Sequence, residues 1–437
     1  MKMAGISRRD FVKLLGAGGA MSALGLAGCE TVPKSAAPAK AAPRVVVVGG
    51  GFGGATCAKY LRIYDSTLKV TMIEQNASYT TCPGSNWVLG GLRKMEDLRQ
   101  NYDALRGKYG VNVVTDRVTA IDPAKRIVML ASGKTVEYDR LVMSPGIDFR
   151  WNAIEGYDEA ASEILPHAWK AGPQTVLLQK QLAAMPDGGT VIMNPPPMPF
   201  RCPPGPPERA SMIANYLKAN KPKSKILILD AKDSFSKQGL FLSAWNELYP
   251  GMIEWVPGNK GGKVVRVDPK TRTVFTEAGD AHKGDVVNII APQRAATIAT
   301  ASGLANEAGW CPVNQHTFES TLVPNVHVIG DSSVAGALPK SGHSANNIAK
   351  MAAAAIVSLF RGTPVPMPSH VNTCYSLVGP EYGISIAAVY RLGEDGVLAG
   401  VKGAGGVSPA TASELFRAQE ANFAQGWYAS ITADSFG

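Results

Sequence analysis

Short apolar runs, separated by glycines and helical patterns, predict an α/β fold built on buried parallel strands. The run RVVVV at 44–48 is continuously apolar, and the segment behind the following glycines turns Ala58 and Leu61 inward at helical spacing. A second strand, KVTMIE at 69–74, comes after that helix. Apolar runs of about four to eight residues are typical of strands that are covered on both faces. The chain therefore begins its folded part with a strand–helix–strand unit.

The glycines between the first strand and the first helix predict a dinucleotide-binding loop. Gly49, Gly51 and Gly54 follow the pattern G-x-G-x-x-G. Such glycines allow a tight turn and a close approach of backbone to pyrophosphate, while the helix N-terminus offers free N–H groups to the phosphates. Glu74 ends the second strand, where a carboxylate can accept hydrogen bonds from both ribose hydroxyls.

A second motif near residue 330 indicates that the dinucleotide is FAD. The strand VHVIGD ends in Gly330 and Asp331, and a long alanine-rich helix is predicted to begin near Ser344. This arrangement resembles the second FAD motif of flavoproteins with two dinucleotide-binding domains, in which the aspartate holds the ribityl chain. The positive end of the helix near His343 is expected to face the flavin pyrimidine, and Lys340 is expected to add to that positive charge.

A second nucleotide-binding framework carries a loop that is unsuited to phosphate. The strand TVIM at 190–193 leads into NPPPMPFRCPPGPPER at 194–209, and a helix and the strand KILILD follow. Proline has no N–H, and the loop lacks the glycines that let backbone approach a pyrophosphate. We therefore predict that NAD(P)H is not a substrate, and that Cys202 lies where a nicotinamide would face the flavin.

An internal repeat supports two similar units. AIDPAKRIVML at 120–130 corresponds to RVDPKTRTVFT at 266–276, each with an Asp-Pro turn between apolar strand residues and a return strand shortly afterwards. The predicted fold is thus α/β, with an FAD domain interrupted by an NAD-like domain and followed by a smaller C-terminal domain. The predicted segments are a signal and linker at 1–43, an FAD domain at 44–150 and 282–365, an NAD-like domain at 151–281 and an interface domain at 366–437.

Composition and charge exclude one broad class of function. The 437 residues are 45% apolar and 18% charged, with a formal net charge of +9. Nucleic-acid binding would require lysines and arginines clustered on one element with interleaved aromatic residues, and the sequence has no such cluster. We also predict no metal site.

The N-terminus predicts export to the periplasm. Arg8 and Arg9 precede a weakly apolar stretch that is too short to span a bilayer, which is typical of a twin-arginine signal peptide. The sequence LAGC, ending at Cys29, resembles a lipoprotein processing box and precedes an Ala/Pro-rich tether. Lipidation of Cys29 and cleavage without a lipid both stay open, so an N-terminal lipid is the one membrane anchor considered.

Five cysteines follow Cys29, an odd number for an oxidising compartment. Cys57 lies inside the first helix and Cys311 in GWCPV, and both are interpreted as buried packing residues. The separation of Cys202 from Cys374 does not by itself indicate whether the two meet.

The chain resembles the flavoprotein subunit of flavocytochrome c sulfide dehydrogenase, and the resemblance extends from the twin arginines to Gly437. It implies that Cys202 and Cys374 form a redox-active disulfide beside the flavin, and that Cys82 carries FAD covalently through the 8α-methyl group. The residues around Cys82 depart from the family pattern. The stretches that carry the resemblance are PFRCPPGPPER, NTCYSLVGPEYGISIAAVYR, GWCPV, LPKSG, YTTCPGSN and WYASITADSFG.

The implied activity is a sulfide:cytochrome c oxidoreductase. Sulfide would attack the disulfide, and electrons would pass through FAD to a c-type cytochrome subunit, giving sulfur or polysulfide. Glu208 is the candidate base or proton acceptor, although an ordinary acid in the first turn of a helix would look the same. Trp427 and Tyr428 are interpreted either as a contact with the cytochrome or as core residues of the last helix.

Two other functions are compatible with a flavin-binding chain of this kind. A sulfide:quinone oxidoreductase shares the fold and the disulfide but docks into the membrane through apolar C-terminal helices, whereas this tail has one modest apolar face. A non-catalytic flavin-bearing assembly subunit is the other alternative, and it would need no redox-active cysteines.

Overall fold

The computed structural model describes residues 41–437, and residues 42–437 form one compact unit. The predicted twin-arginine signal at Arg8 and Arg9 and the predicted lipidation site at Cys29 lie outside the described residues. Within the described part, no helix combines the length and the apolar character needed to cross a bilayer.

The described chain combines strand–helix units with runs of consecutive strands, among them those at 112–149, 253–295 and 369–407. The helices are α1 (Phe52–Tyr64), α2 (Ser85–Leu89), α3 (Asp103–Gly107), α4 (Pro173–Ala184), α5 (Gly205–Asn220), α6 (Gln238–Leu248), α7 (Thr297–Ala301), α8 (Gly342–Arg361) and α9 (Glu414–Phe436). The strands are β1 (Arg44–Val48), β2 (Lys69–Glu74), β3 (Tyr79–Thr80), β4 (Arg99–Gln100), β5 (Asn112–Thr115), β6 (Val118–Asp122), β7 (Ile127–Leu130), β8 (Thr135–Glu137), β9 (Arg140–Met143), β10 (Ile147–Phe149), β11 (Thr190–Asn194), β12 (Lys225–Leu229), β13 (Ile253–Val256), β14 (Val264–Asp268), β15 (Thr273–Thr276), β16 (Ala281–Lys283), β17 (Val286–Ile289), β18 (Gln293–Ala295), β19 (Cys311–Pro312), β20 (Val326–Val328), β21 (Ser333–Val334), β22 (Ser369–Gly379), β23 (Tyr382–Leu392) and β24 (Leu398–Val407).

The first domain is built on a five-stranded parallel sheet in the order β20-β9-β1-β2-β5. The valines of β1 are buried because helices and loops cover the sheet, which explains the unbroken apolar run in the sequence. Helices α1 and α8 pack against each other. The antiparallel pair β10/β18 marks the place where the chain leaves this domain and returns to it.

The second domain holds a four-stranded parallel sheet in the order β13-β12-β11-β17. Its core is separate and includes Leu178, Ile213 and Phe241. Strand β17 pairs with β11, so it belongs to this sheet although the sequence assigned residues 282–365 to the FAD domain. The boundary predicted at residue 281 therefore lies too early, because β17, an edge strand of the second sheet, follows the second copy of the repeat at 266–276.

The internal repeat is confirmed as two antiparallel meanders of the same design. Strands β6-β7-β8 form one and strands β14-β15-β16 form the other. Arg126 and Arg272 occupy equivalent turns, and both have a φ of 54°. Each meander therefore reverses through a left-handed residue directly after its Asp-Pro turn.

The C-terminal residues form the antiparallel sheet β22-β23-β24 and the long helix α9. This helix packs on β22 and β23 and reaches α1. Its end is fixed to the first domain, because Phe436 packs against Phe52 and Lys59 Nζ donates to the carbonyl oxygen of Gly437 at 2.8 Å. The C-terminal region thus covers both other domains and brings β22 against α5.

Candidate active site

The glycine loop has the geometry of a dinucleotide cradle. Gly49 has a φ of +97°, and a Cβ there would lie 2.3 Å from the carbonyl oxygen of Ser144. A Cβ at Gly54 would lie 1.8 Å from the carbonyl oxygen of Gly49. Gly51 lies directly before α1 as its N-cap. Any side chain at Gly49 or Gly54 would therefore push the helix away from the strand.

Glu74 stands at the end of β2 beside this loop. Its Oε2 accepts a hydrogen bond from the Gly50 N–H at 2.8 Å, and its Oε1 accepts one from the Asn76 N–H at 3.1 Å. The carboxylate still borders the cleft described below. A carboxylate has about four acceptor positions, so acceptance from ribose hydroxyls remains open to it.

A cleft of about 910 Å³ runs from this loop to the second FAD motif, and its residues fit FAD. Gly330 and Asp331 lie in its wall. Asp331 Oδ1 is buried and has no hydrogen-bond partner, and burial raises the pKa of its carboxyl group against the opposing effect of Arg201 and Lys340. A buried acceptor without a donor is the group that a ribityl hydroxyl would satisfy.

Lys340 lies beside the Asp331 loop, and its contribution to the positive charge around a flavin stays a prediction. Its Nζ donates to the carbonyl oxygens of Asp331 and Ser333, both at 2.8 Å, and it lies 3.9 Å from the ring centre of Trp310. It is absent from the wall of the cleft. The ammonium group thus stabilises the Asp331 loop, because it binds two carbonyl oxygens of that loop and packs on the ring of Trp310.

The long helix of the second motif begins slightly earlier than predicted. Helix α8 starts at Gly342, and the Ser341 side chain caps it by accepting from the Ser344 N–H at 3.0 Å. Gly342 and Ala345 border the cleft. The N-terminal end of this helix therefore faces the space that a flavin would occupy, as the sequence predicts.

Cys82 lies in the wall of the cleft. Its Sγ is 3.5 Å from the carbonyl oxygen of Trp169, and the Arg201 guanidinium donates to that same oxygen. The thiol of Cys82 and the cation of Arg201 therefore meet at one carbonyl group. Arg201 also borders the cleft, so it is a functional candidate that the sequence reasoning missed although it directly precedes Cys202.

Cys202 occupies a strained turn directly before α5. Its φ is +59°, its N–H donates to the Lys340 carbonyl oxygen at 2.7 Å, and its own carbonyl accepts from the Gly205 N–H at 2.8 Å. The neighbouring prolines stiffen this turn. Burial raises the pKa of the Cys202 thiol, and the nearby charge of Cys374 raises it further.

Cys374 lies on strand β22, whose Leu377 N–H donates to the Glu208 carboxylate on the helix that follows Cys202. Asn372 Nδ2 lies 3.3 Å from the Cys374 sulfur, and burial raises the pKa of this thiol as well. All five cysteines of the described chain are free thiols, so the disulfide stays a prediction. Cys57 and Cys311 are fully buried, in agreement with their interpretation as packing residues.

Glu208 lies between the two cysteine-bearing segments. Its Oε1 accepts from Trp87 Nε1 at 3.1 Å and from the Leu377 N–H at 3.0 Å, and its Oε2 accepts from Asn86 Nδ2 at 2.8 Å. Burial raises the pKa of Glu208, and these hydrogen bonds oppose the rise. An ordinary first-turn acid would be solvated, so this buried carboxylate is a better candidate for proton transfer than its position in the sequence indicates.

Lys237 is a second residue that the sequence reasoning missed. It is 8% exposed, and its Nζ donates to the Cys374 carbonyl oxygen at 3.1 Å and to Ser376 Oγ at 2.8 Å. Burial lowers its pKa to about 8. The segment around it, DSFSKQG, contains no motif, so only the fold places this lysine beside Cys374.

Trp427 and Tyr428, adjacent aromatic residues of the last helix, differ in their exposure. Tyr428 is a core residue, since it is 4% exposed and its hydroxyl lies 2.8 Å from Thr81 Oγ1. Trp427 is half-buried, with its ring centre 6.3 Å from that of His343 and 6.5 Å from that of Tyr375. Only Trp427 therefore keeps an exposed part that a partner could contact.

Two segments of the chain match models of one known protein family. Residues 175–291 match the model for the central domain of the sulfide dehydrogenase (flavocytochrome c) flavoprotein chain, and residues 366–436 match the flavocytochrome c sulphide dehydrogenase flavin-binding model. The flavoprotein chain from Chlorobaculum thiosulfatiphilum is 60% identical over 45 residues, which cover 10% of this chain and 94% of that sequence. The chain belongs to the flavocytochrome c sulfide dehydrogenase flavoprotein family. The resemblance seen in the sequence is thereby confirmed.

The two matched models describe the central and the flavin-binding regions of a sulfide dehydrogenase flavoprotein, and related proteins share the fold. Residues 43–173 match the pyridine nucleotide-disulphide oxidoreductase model. The mitochondrial sulfide:quinone oxidoreductase of Dictyostelium discoideum is 23% identical over 303 residues, and the match spans 66% of this chain and 65% of that enzyme. The solved sulfide:quinone oxidoreductase from Aquifex aeolicus superposes with a TM-score of 0.70 at 20% identity, covering 90% of this chain and 92% of that one. The predicted fold with two Rossmann-like domains is confirmed.

Proposed function

We propose that this chain is the flavoprotein subunit of a periplasmic sulfide:cytochrome c oxidoreductase. One observation supports the proposal: the buried carboxylate of Glu208, six residues after Cys202, accepts a hydrogen bond from the Leu377 N–H on the strand of Cys374, and Arg201, the neighbour of Cys202, borders the FAD cleft together with Cys82. Two sulfurs with an adjacent proton acceptor are the groups that disulfide-mediated sulfide oxidation requires.

The proposed reaction begins with a Cys202–Cys374 disulfide. Glu208 accepts a proton from hydrogen sulfide, and the hydrosulfide sulfur attacks one cysteine sulfur. A new sulfur–sulfur bond forms a persulfide on that cysteine, the disulfide breaks, and its electron pair leaves on the other cysteine as a thiolate. FAD, when bound, supplies an acceptor for two electrons that can be passed on one at a time.

Residues of the cleft would hold the cofactor in three places. The glycine loop and Glu74 fit the pyrophosphate and the adenosine ribose. Asp331 fits the ribityl chain through its unpartnered Oδ1. We further propose that Cys82 carries the flavin covalently, which is supported by its position in the cleft wall.

The proposed electron acceptor is a c-type cytochrome subunit. The supporting comparison is with the flavoprotein chain of a flavocytochrome c, which is 60% identical over the short region it covers. Quinone is the second candidate, because a sulfide:quinone oxidoreductase aligns over 66% of this chain and shares its fold. Twin-arginine export to the periplasm completes the proposal, and at Cys29 both lipidation and cleavage without a lipid stay open.

An anaerobic sulfide titration of the purified chain tests both parts of the proposal. Flavin bleaching at 450 nm would be followed first without an acceptor, then with a c-type cytochrome or decylubiquinone at about equal concentrations. We expect faster electron transfer to cytochrome, and a rate that falls with salt because charged surfaces steer the encounter. Faster reduction of decylubiquinone would favour the quinone enzyme.

Two variants test the disulfide separately. Cys202→Ser and Cys374→Ser should each lose sulfide-dependent bleaching, while dithionite should still bleach the flavin because it needs no cysteine. Cys57→Ser is the matched control, since Cys57 is fully buried in α1 and does not border the cleft. Near-normal bleaching by sulfide in either test variant would contradict the disulfide mechanism.

A further inference from the structure

Lys237 is a buried cation without a counter-ion. Its side chain is enclosed between α6, β22 and β23, and its Nζ donates to the Cys374 carbonyl oxygen, to Ser376 Oγ and to the Ile384 carbonyl oxygen at 3.3 Å. Within residues 41–437, no carboxylate oxygen lies within 4.0 Å of this nitrogen. Burying a charge without an opposite charge is costly, so a lysine kept here calls for an anion that the three neutral acceptors do not provide.

Several ionisable groups face Lys237 from the surrounding elements. Cys374 comes from β22, Cys202 and Glu208 come from the start of α5, and Glu420 comes from α9, and each favours the charged form of the lysine. Glu420 is itself held by Ser385 Oγ at 2.7 Å, Ser408 Oγ at 2.6 Å and the Arg417 guanidinium. Glu208 is held by its three donors. Both carboxylates are thus engaged elsewhere, and Cys374 is the remaining anion-forming group on the strand that Lys237 binds.

From this arrangement we propose that Lys237 is a positioning residue that holds negative charge on the sulfur of Cys374. Lys237 donates a hydrogen bond to the Cys374 carbonyl oxygen, which places its positive charge beside that residue. Asn372 Nδ2 contacts the sulfur directly. The inference rests on the proposed function, because cleavage of the Cys202–Cys374 disulfide is the event that would produce an anionic sulfur there. It adds a residue that neither the sequence nor the family resemblance assigns.

The role can be measured without sulfide turnover. The experiment uses the FAD-loaded full chain with Cys202→Ser, so that Cys374 cannot form the disulfide. Iodoacetamide alkylation of Cys374 is followed by peptide mass spectrometry between about pH 6 and 10, because only the thiolate reacts and the rate reports its fraction. The same series is recorded with Lys237→Met, Lys237→Arg and the control Lys232→Met.

Lys232 is a matched control because it is a half-buried lysine on the same loop, and its Nζ binds Asp230 and the Pro196 carbonyl oxygen. We expect Lys237→Met to lower the alkylation rate near pH 8 about tenfold and to move its midpoint about one unit upward, since one unit corresponds to a tenfold change. Lys237→Arg should restore the profile within about threefold, and Lys232→Met should leave it unchanged.

Two results would overturn the proposal: an unchanged alkylation profile in Lys237→Met with an intact flavin spectrum, or equal loss in Lys237→Met and Lys232→Met. If Lys237→Met fails to fold, the same alkylation profile is measured in Lys237→Gln. Its amide keeps hydrogen bonds to the surrounding acceptors and removes the charge. Failure of the sulfide mechanism would appear in the bleaching assay, whereas failure of this inference would appear in the alkylation profile alone.

Discussion

The carboxylate of Glu208 accepts a hydrogen bond from the backbone N–H of Leu377 at 3.0 Å, across 169 positions of sequence. Glu208 follows Cys202 by six residues, and Leu377 follows Cys374 by three. The bond therefore ties the helix behind the first cysteine to the strand that carries the second. The same carboxylate reaches Asn86 and Trp87 on α2, just after Cys82, so one buried acid joins three cysteine-bearing segments.

Replacing this acid should affect both catalysis and the pH dependence of stability. Glu208→Gln should slow sulfide-dependent bleaching about a hundredfold, the lower range for loss of a general base. Burial raises the pKa of Glu208 in the folded protein, so ionisation destabilises the fold as pH rises from the unfolded value, about 4.3, through the folded value. This pH-dependent loss should vanish in the variant. Stopped-flow bleaching and urea unfolding at several pH values would measure the two effects.

Glu414→Gln is the control for this prediction, because Glu414 is an exposed acid in the first turn of α9. It should change neither the bleaching rate nor the pH dependence of unfolding. Equal behaviour of the two variants would mean that Glu208 serves only as an ordinary helix-end acid.

Cys82 should retain flavin through denaturation. Acid-precipitated protein is expected to stay yellow, and Cys82→Ala should release FAD into the supernatant, because among residues 41–437 Cys82 supplies the only sulfur in the cleft wall. Absorbance of pellet and supernatant gives the readout, with Cys57→Ala, a buried thiol in α1, as the control. Release of free flavin by the unmodified protein would contradict covalent attachment.

The glycine loop should tolerate no side chain at position 54. Gly54→Ala is expected to destabilise the protein by about 3 kcal/mol or more and to reduce its FAD content, since the added Cβ would lie 1.8 Å from a carbonyl oxygen. Gly426→Ala is the matched helical control, as nothing lies within 4 Å of its Cβ position, and it should stabilise by about 0.5–1 kcal/mol. Urea unfolding and the ratio of flavin to protein absorbance would test both.

NADH should neither bind to the chain nor bleach its flavin. Asp230 directly follows β12, where an acid would bind ribose, but its carboxylate is paired with Lys232 at 2.5 Å and accepts from Trp255 Nε1 at 3.4 Å. Prolines and aromatic side chains leave a cavity of only about 10 Å³ beside it. Anaerobic mixing with about millimolar NADH gives the readout. Bleaching faster than with sulfide would show that the second domain has kept its nucleotide site.

The sequence by itself determined those features of the fold that depend on residues close together along the chain. Apolar runs gave the two parallel sheets, the spacing of Gly49, Gly51 and Gly54 gave the loop, and the Asp-Pro repeat gave the two meanders. Local sterics fix such features, because a missing Cβ or a proline ring acts on its own turn. The rare stretches around Cys202 and Cys374 also indicated the family, which the comparisons confirm.

Only the tertiary structure decided which distant groups meet. Lys340 is positioned by the carbonyl oxygens that it binds and by the ring of Trp310. Strand β17 belongs to the second sheet because it pairs with β11. The placement of Lys237 against Cys374 spans 137 positions and has no sequence signature. Contacts of this kind arise from how three domains pack, so their charges and burial, and hence the reactivity of the site, are properties of the fold rather than of any segment.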